Sequence, residues 1–97
     1  MQQFNMTING KAPDSGVFFD VINPATGTGF AQCQCGDIDM LNQAVSAARD
    51  AFISWSQTSS AHRKEKMHEL AGMLESNMPE LMELVTQETG KPMVGLN

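Results

Sequence analysis

The strongest constraint on this chain is the division of its residue types into two blocks. Residues 1–36 hold most of the glycines and the β-rich runs, whereas residues 37–90 contain one Pro and two Gly and place apolar residues at helical intervals. Strand-forming segments therefore precede helix-forming ones, an order typical of α+β structure. At 97 residues, the chain is long enough for one domain with one modest core.

Three short strands are expected in the first block. Apolar residues alternate over 4–8, and Asn9-Gly10 then provides a dipeptide that tolerates the positive φ angles of a tight turn. The runs 17–22 and 29–35 supply the second and third strands, with turn residues between them. We expect these strands to pair in antiparallel fashion.

Three helices are expected after the strands. The first begins near Asp37, a suitable N-cap, with Asp39 in the first turn, where the helix dipole favours a carboxylate. Its apolar residues recur at intervals of three and four, which places them on one stripe. This stripe consists of Leu41, Ala44, Val45, Ala48, Phe52 and Trp55.

The second and third helices carry their own start and stop signals. Ser59 or Ser60 caps the second, and Pro79 lies in the first turn of the third, which Gly90 ends in a left-handed conformation. The second helix has the apolar stripe Met67, Leu70, Ala71 and Leu74. The expected fold is thus an α+β fragment, with antiparallel strands over 1–36 and helices over 37–97. The closing residues MVGLN bear no termination signal, so we expect a truncated chain.

Charge and hydropathy exclude several classes of partner. The formal net charge is −5, so no basic stripe is available to neutralise the phosphates of a nucleic acid. No apolar run approaches the roughly 20 residues of a membrane span, and the N-terminus lacks the pattern of a signal peptide. We expect a cytoplasmic protein that binds neither nucleic acid nor membrane.

The two cysteines lie one residue apart, at Cys33 and Cys35. In a strand their Cα atoms would be about 6.6 Å apart with parallel side chains, which would strain a disulfide. The two imidazoles, His62 and His68, are six residues apart, or about 240° around a helix, so they cannot chelate zinc together. Ordinary strand packing is the favoured interpretation of both thiols.

No other segment supplies complete chemistry. The run GTGFAQ at 27–32 lacks the third glycine of a dinucleotide fingerprint and precedes a strand instead of following one. Ser59, Ser60 and His62 have no third group to orient a base, and the charged run at 62–69 is typical of a solvated helix face. The residues alone indicate a segment without an active site.

Several motifs occur in an order that resembles the N-terminal region of the aldehyde dehydrogenase superfamily. The most specific are NPATG at 23–27 and ETGKP at 88–92, with Arg63 and AVSAARDAFISWS between them. The resemblance implies a longer parent enzyme that oxidises an aldehyde to a carboxylate with NAD or NADP. It also implies that this segment opens the Rossmann-like cofactor-binding domain, while the catalytic cysteine, the catalytic glutamate and the dinucleotide site lie beyond it.

The resemblance carries over one candidate site. The backbone carbonyls of Val21 and Ile22 correspond to ligands of a monovalent cation in the full-length parent. No catalytic or cofactor-binding residue is assigned in this chain, so we expect it to be inactive and to bind no dinucleotide.

The partners implied are the remainder of the enzyme and, for the isolated chain, a second copy. Self-association is expected through the first-helix residues Leu41, Val45, Phe52 and Trp55 and the Leu70–Leu74 face of the second helix, because apolar stripes left without a core attract partners. Two alternatives remain open at this stage. One is a free-standing helical interaction module, and the other is a small thiol or zinc protein.

Overall fold

Three strands followed by three helices form the chain in a computed structural model that describes residues 1–13 and 16–93. The predicted α+β order is confirmed. The elements are β1 (Gln2–Phe4), β2 (Val17–Asn23), β3 (Thr28–Cys35), α1 (Ile38–Trp55), α2 (Ser60–Ser76) and α3 (Met78–Thr89).

The pairing of β1 differs from the prediction. The strands are ordered β1-β3-β2, and β2 is antiparallel to β3, but β1 runs parallel to β3. The reversal at Asn9-Gly10 does form, with φ angles of 54° and 75°. However, it closes only a bridge between Ile8 and Lys11, whose backbone groups exchange hydrogen bonds of 2.8 and 3.1 Å. It does not join β1 to β2, which lie on opposite sides of β3.

The first strand also lies earlier in the chain than the alternation over 4–8 predicts, since it covers Gln2–Phe4 and shares only Phe4 with that range. The backbone N–H of Met6 donates to the side-chain Oε1 of Gln34 at 2.9 Å. A side-chain acceptor has thus replaced the strand ladder at this point, and the chain leaves the sheet after Phe4. Periodicity alone did not indicate this competition.

The core is very small. Among the described residues, the buried ones are Ala31, Met40 and Gln34, which are 2%, 5% and 4% exposed. The radius of gyration is 17.0 Å, whereas a compact domain of this length has about 12.5 Å. The molecule measures 48 × 35 × 15 Å, so it is a thin slab.

The helix boundaries follow the predicted caps. The Asp37 carboxylate accepts from the Met40 N–H at 2.8 Å, and the Ser59 hydroxyl accepts from the His62 N–H at 3.1 Å. Gly90 ends α3 with φ 77°, in the left-handed region. These caps depend on neighbours within a few residues, which explains why the sequence indicates them well. No helix in the described part of the chain is both long and apolar enough to cross a bilayer.

Candidate functional site

The turn after β2 is built by its own side chains. The Asn23 carbonyl accepts from the N–H groups of Thr26 and Gly27 at 3.2 and 2.8 Å, and the Asn23 Oδ1 accepts from the Ala25 N–H at 2.9 Å. Gly27 takes φ 72°, a conformation that a side chain would disfavour. The motif at 23–27 therefore forms a turn from its own hydrogen bonds, one of which the Asn23 side-chain oxygen accepts.

The C-terminal end of α3 is likewise held by hydrogen bonds within its own segment. The Gly90 N–H donates to the Thr86 carbonyl at 2.9 Å. The Thr89 hydroxyl donates to the Val85 carbonyl at 2.7 Å and accepts from the Lys91 N–H at 3.2 Å. These bonds satisfy carbonyl groups that a helix terminus otherwise leaves to solvent.

The tertiary structure brings these two motifs into contact. A Cβ atom on Gly90 would lie 3.1 Å from Cγ of Pro24, so the helix end packs directly against the proline ring. Helix α3 also packs along β2. The sequence predicts Gly90 as a helix stop but gives no sign that it meets Pro24, since this contact links residues far apart in the chain.

The turn between α1 and α2 has a similar structural character. Arg63 is half-buried, and its Nη1 donates to the Thr58 carbonyl at 2.5 Å. The Thr58 hydroxyl in turn donates to the Trp55 carbonyl at 2.6 Å. The Arg63 guanidinium thus stabilises the turn between α1 and α2 through its hydrogen bond to the Thr58 carbonyl.

The cysteines share one face of β3, as their spacing requires. Both are free thiols; Cys33 is half-buried and Cys35 is exposed. Cys33 lies between Phe4 of β1 and Phe19 of β2 in the sheet. Its position is that of an ordinary residue of a central strand.

The imidazoles lie on α2, away from the thiols in sequence and both exposed. His62 packs edge-on against Trp55, with ring centroids 6.3 Å apart. Within residues 1–13 and 16–93, no three His, Cys, Asp or Glu side chains gather to hold a metal ion. The zinc interpretation therefore receives no support from this part of the chain.

The helix N-termini are capped by side chains of the chain itself. Phosphates bind where a helix N-terminus offers free N–H groups, and here the oxygens of Asp37 and Ser59 each accept from one such group of α1 and α2. The first turn of α3 contains Pro79 and Glu80, which remove a donor and add negative charge. Gly27 lies in a turn between two strands, not in front of a helix.

A groove lies between the segment 8–13 and α1. It encloses about 920 Å³ and is lined by the acidic residues Asp37, Asp39 and Asp50, with Lys11 at its side. Ser46 also lines the groove, but no His or Cys does so among the described residues, so they form no pair of a nucleophile and an imidazole base there.

Comparison with known proteins identifies the class. The profile of the aldehyde dehydrogenase family matches residues 11–95. This match covers most of the chain and includes both motifs that meet at Pro24 and Gly90. The chain belongs to the aldehyde dehydrogenase family.

Curated relatives agree with this assignment. A (Z)-2-((N-methylformamido)methylene)-5-hydroxybutyrolactone dehydrogenase of Acinetobacter baylyi is 43% identical over 93 residues, which are 94% of this chain and 19% of that protein. A probable aldehyde dehydrogenase of a Pseudomonas species is 39% identical over 90 residues, which are 93% of this chain and 18% of that protein.

A third relative, the 5-carboxymethyl-2-hydroxymuconate semialdehyde dehydrogenase of Escherichia coli, is 35% identical over 92 residues, or 95% of this chain and 20% of that protein. The chain thus spans about a fifth of the length of these relatives.

Proposed function

We propose that this chain is the N-terminal structural segment of a cytoplasmic NAD(P)-dependent aldehyde dehydrogenase. The parent enzyme oxidises an aldehyde to a carboxylate, and this segment contributes packing surface to its Rossmann-like cofactor-binding domain. The observation that carries the proposal is the family match over residues 11–95, combined with the turn and cap hydrogen bonds that Asn23, Thr89 and Gly90 make in the two motifs.

The structure of the motifs supports a scaffold role. In NPATG the Asn23 amide oxygen holds the turn, and in ETGKP Thr89 and Gly90 close the helix end. Their spacing maintains the position of α3 on β2, and we infer that this arrangement presents the segment to the rest of the enzyme.

We propose that the chain by itself binds no dinucleotide and oxidises no aldehyde. The capped helix N-termini support the first statement, because pyrophosphate would compete with the Asp37 and Ser59 side chains for the same N–H groups. The strand position of Cys33 and Cys35 supports the second, because neither thiol lies beside an imidazole base.

We also propose that Val21 and Ile22 contribute backbone carbonyls to a monovalent cation site of the parent. These residues lie near the end of β2, at the point where its register with β3 shifts, and such a shift interrupts the ladder of backbone hydrogen bonds. Two carbonyl oxygens are fewer ligands than a cation held by oxygen atoms needs, so we propose that the remaining ligands come from elsewhere in the parent.

Calorimetry on the 97-residue chain tests the proposal. Titration with NAD⁺ and with NADP⁺ should give only heats of dilution, and addition of an aldehyde should produce no absorbance of reduced cofactor. A full-length aldehyde dehydrogenase serves as the positive control. Saturable binding of either dinucleotide would contradict the inert scaffold.

A second candidate function is a free-standing helical interaction module. The exposed apolar residues of α1 and α2 favour it, because they form a surface suited to a protein partner. The coding DNA separates the two candidates. A reading frame that continues past codon 97 supports the enzyme segment, whereas a stop codon at that point supports the module.

A further inference from the structure

The turn at Asn9-Gly10 leaves its own polar groups free. Both residues are exposed and take φ angles of 54° and 75°. The hydrogen bonds of the turn belong to its flanking residues, Ile8 and Lys11. Among residues 1–13 and 16–93, neither the Gly10 N–H nor the Asn9 side-chain amide has a hydrogen-bond partner. A free carboxamide therefore lies beside a free backbone nitrogen.

An asparagine side chain in this position can react with the nitrogen of the next residue. The nitrogen attacks the side-chain carbonyl carbon, a five-membered succinimide ring closes, and ammonia leaves. Water then opens the ring at one of its two carbonyl groups, which gives either aspartate or isoaspartate. The net reaction takes up one water and releases one ammonia, so it needs no other reactant. Such an intramolecular attack is favoured because both groups belong to one short segment.

The attacking nitrogen is unhindered at Gly10. Glycine has no Cβ to obstruct the approach of its own nitrogen to a neighbouring side chain. A Cβ atom built at this position would meet nothing within 4 Å, so no other segment obstructs the ring. Exposed turn tips of small polar residues are also the segments that move most freely.

Two other asparagines near the sheet lack a free nitrogen after them. The N–H of Met6, which follows Asn5, donates to the Gln34 Oε1 at 2.9 Å. Asn23 is followed by Pro24, whose nitrogen carries no hydrogen. The side-chain oxygen of Asn23 is also held by a hydrogen bond within its turn.

The asparagines of the helical part are restrained as well. Asn42 lies inside α1, where the following N–H belongs to the helical hydrogen-bond ladder. The Asn77 Nδ2 donates to the Met73 carbonyl at 2.8 Å. Within the described part of the chain, Asn9 is thus the asparagine that combines a free side chain with a free following N–H.

The turn is held by few interactions. Ring closure requires rotation about the bonds of Asn9, so the turn has to open for a moment. The bridge between Ile8 and Lys11 lies outside the named strands and consists of two hydrogen bonds, of 2.8 and 3.1 Å. Isolated hairpins are marginally stable, and such segments open locally without unfolding of the rest.

We propose that Asn9 is a site of spontaneous deamidation, through a succinimide closed by the Gly10 nitrogen, and that the isoaspartate product opens the Ile8–Lys11 turn. Isoaspartate adds one carbon atom to the main chain, which removes the spacing on which both hydrogen bonds depend. The new carboxylate also lies on the groove that Asp37 and Asp39 line, where it adds like charge. The reaction is independent of the proposed enzyme role.

Ageing of the 97-residue chain at neutral pH tests the reaction. Samples taken over time are digested at acidic pH, which suppresses further reaction, and are analysed by tandem mass spectrometry. The site at Asn9 should gain about one mass unit, the difference between an amide and an acid. Its rate should exceed that of Asn5 and Asn77 at least about tenfold.

Three variants assign the chemistry. Asn9→Gln should abolish the mass gain at this position, because a glutamine would have to close a larger ring. Gly10→Ala should slow it at least about tenfold, because a Cβ then flanks the nitrogen. Asn5→Gln is the matched control and should leave the rate at Asn9 unchanged. Equal rates at Asn5 and Asn9 would overturn the proposal, and so would a site that reacts in urea but not in the folded chain.

The structural effect is tested on the separated products. Ion exchange isolates the deamidated chain, and enzymatic carboxyl methylation identifies its isoaspartate form. The nuclear Overhauser effect between the amide protons of Ile8 and Lys11 should disappear in this form. Asn9→Asp adds the same charge on an ordinary main chain and should retain the effect. A signal retained in both, or lost in both, would overturn the opening of the turn by the longer main chain.

Discussion

The sheet and the α1–α2 pair are stabilised in different ways. Around β3, residues distant in sequence meet: Gln34 binds Met6, Ala31 is buried, and α3 packs along β2. In α2, by contrast, Arg63 is the one described residue that is not exposed. Its organisation comes from the Ser59 cap, the turn at Thr58 and the helix backbone itself.

Local and tertiary organisation are therefore separable in this chain. Caps and backbone hydrogen bonds specify where a helix begins and ends, but burial of apolar area supplies most of its stability. The sheet and Met40 at the start of α1 obtain some burial within the chain, whereas the rest of α1 and α2 obtain very little. Substitutions that probe burial should therefore have large effects near β3 and at Met40, and small effects in α2.

The largest expected effect is at Met40, which attaches α1 to the sheet. Met40→Ala should lower the free energy of unfolding by about 2–4 kcal/mol, since it removes a buried side chain and leaves a cavity. The matched change Met73→Ala on α2, where the side chain is 64% exposed, should stay within about 0.5 kcal/mol. Urea titration followed by circular dichroism, at one low protein concentration, measures both. Similar losses of unfolding free energy in Met40→Ala and Met73→Ala would contradict the difference in burial between the sheet region and α2.

A smaller effect is expected at Gln34, the buried polar residue of β3. Gln34→Leu leaves the Met6 N–H without its side-chain acceptor, at a cost of about 1–3 kcal/mol. Gln32→Leu is the control, because Gln32 is half-exposed and its partners Gln3 and Asp20 are exposed; it should cost less than about 0.5 kcal/mol. Hydrogen exchange at the Met6 amide should accelerate only in Gln34→Leu. Unchanged exchange there would mean that Gln34 does not hold this segment.

The smallest expected effects are at two glycines, where a change to alanine should alter the free energy of unfolding in opposite directions. Gly90→Ala should destabilise by about 1–2 kcal/mol, because a left-handed φ disfavours a side chain and Pro24 Cγ would lie 3.1 Å from the new Cβ. Gly72→Ala should stabilise by up to about 1 kcal/mol, since Gly72 lies inside α2 with nothing within 4 Å. Thermal unfolding of both variants provides the measurement. If Gly90→Ala left the thermal stability unchanged, the contact between the two motifs would not contribute to stability.

The corrected prediction at β1 shows where reasoning from sequence stops. Alternation over 4–8 wrongly placed the first strand, which overlaps that range only at Phe4, whereas Asn9-Gly10 correctly indicated a turn. Neither pattern indicated that the Gln34 side chain would capture the Met6 N–H and end the strand at Phe4. β1 lies on the far side of β3 and pairs with it in parallel, so its partners are residues about 30 positions away in the chain.

The sequence by itself determined the strand-then-helix order, the caps at Asp37 and Ser59, the stop at Gly90 and the family resemblance through NPATG and ETGKP. These features depend on backbone conformation and on partners a few residues away, so short segments encode them. Only the tertiary structure decided that β1 runs parallel, that Gln34 is buried and that Pro24 rests on Gly90. Each of these depends on contacts between segments that are distant in sequence. The free energy of such a contact depends on the packing of the whole chain, which short segments do not encode.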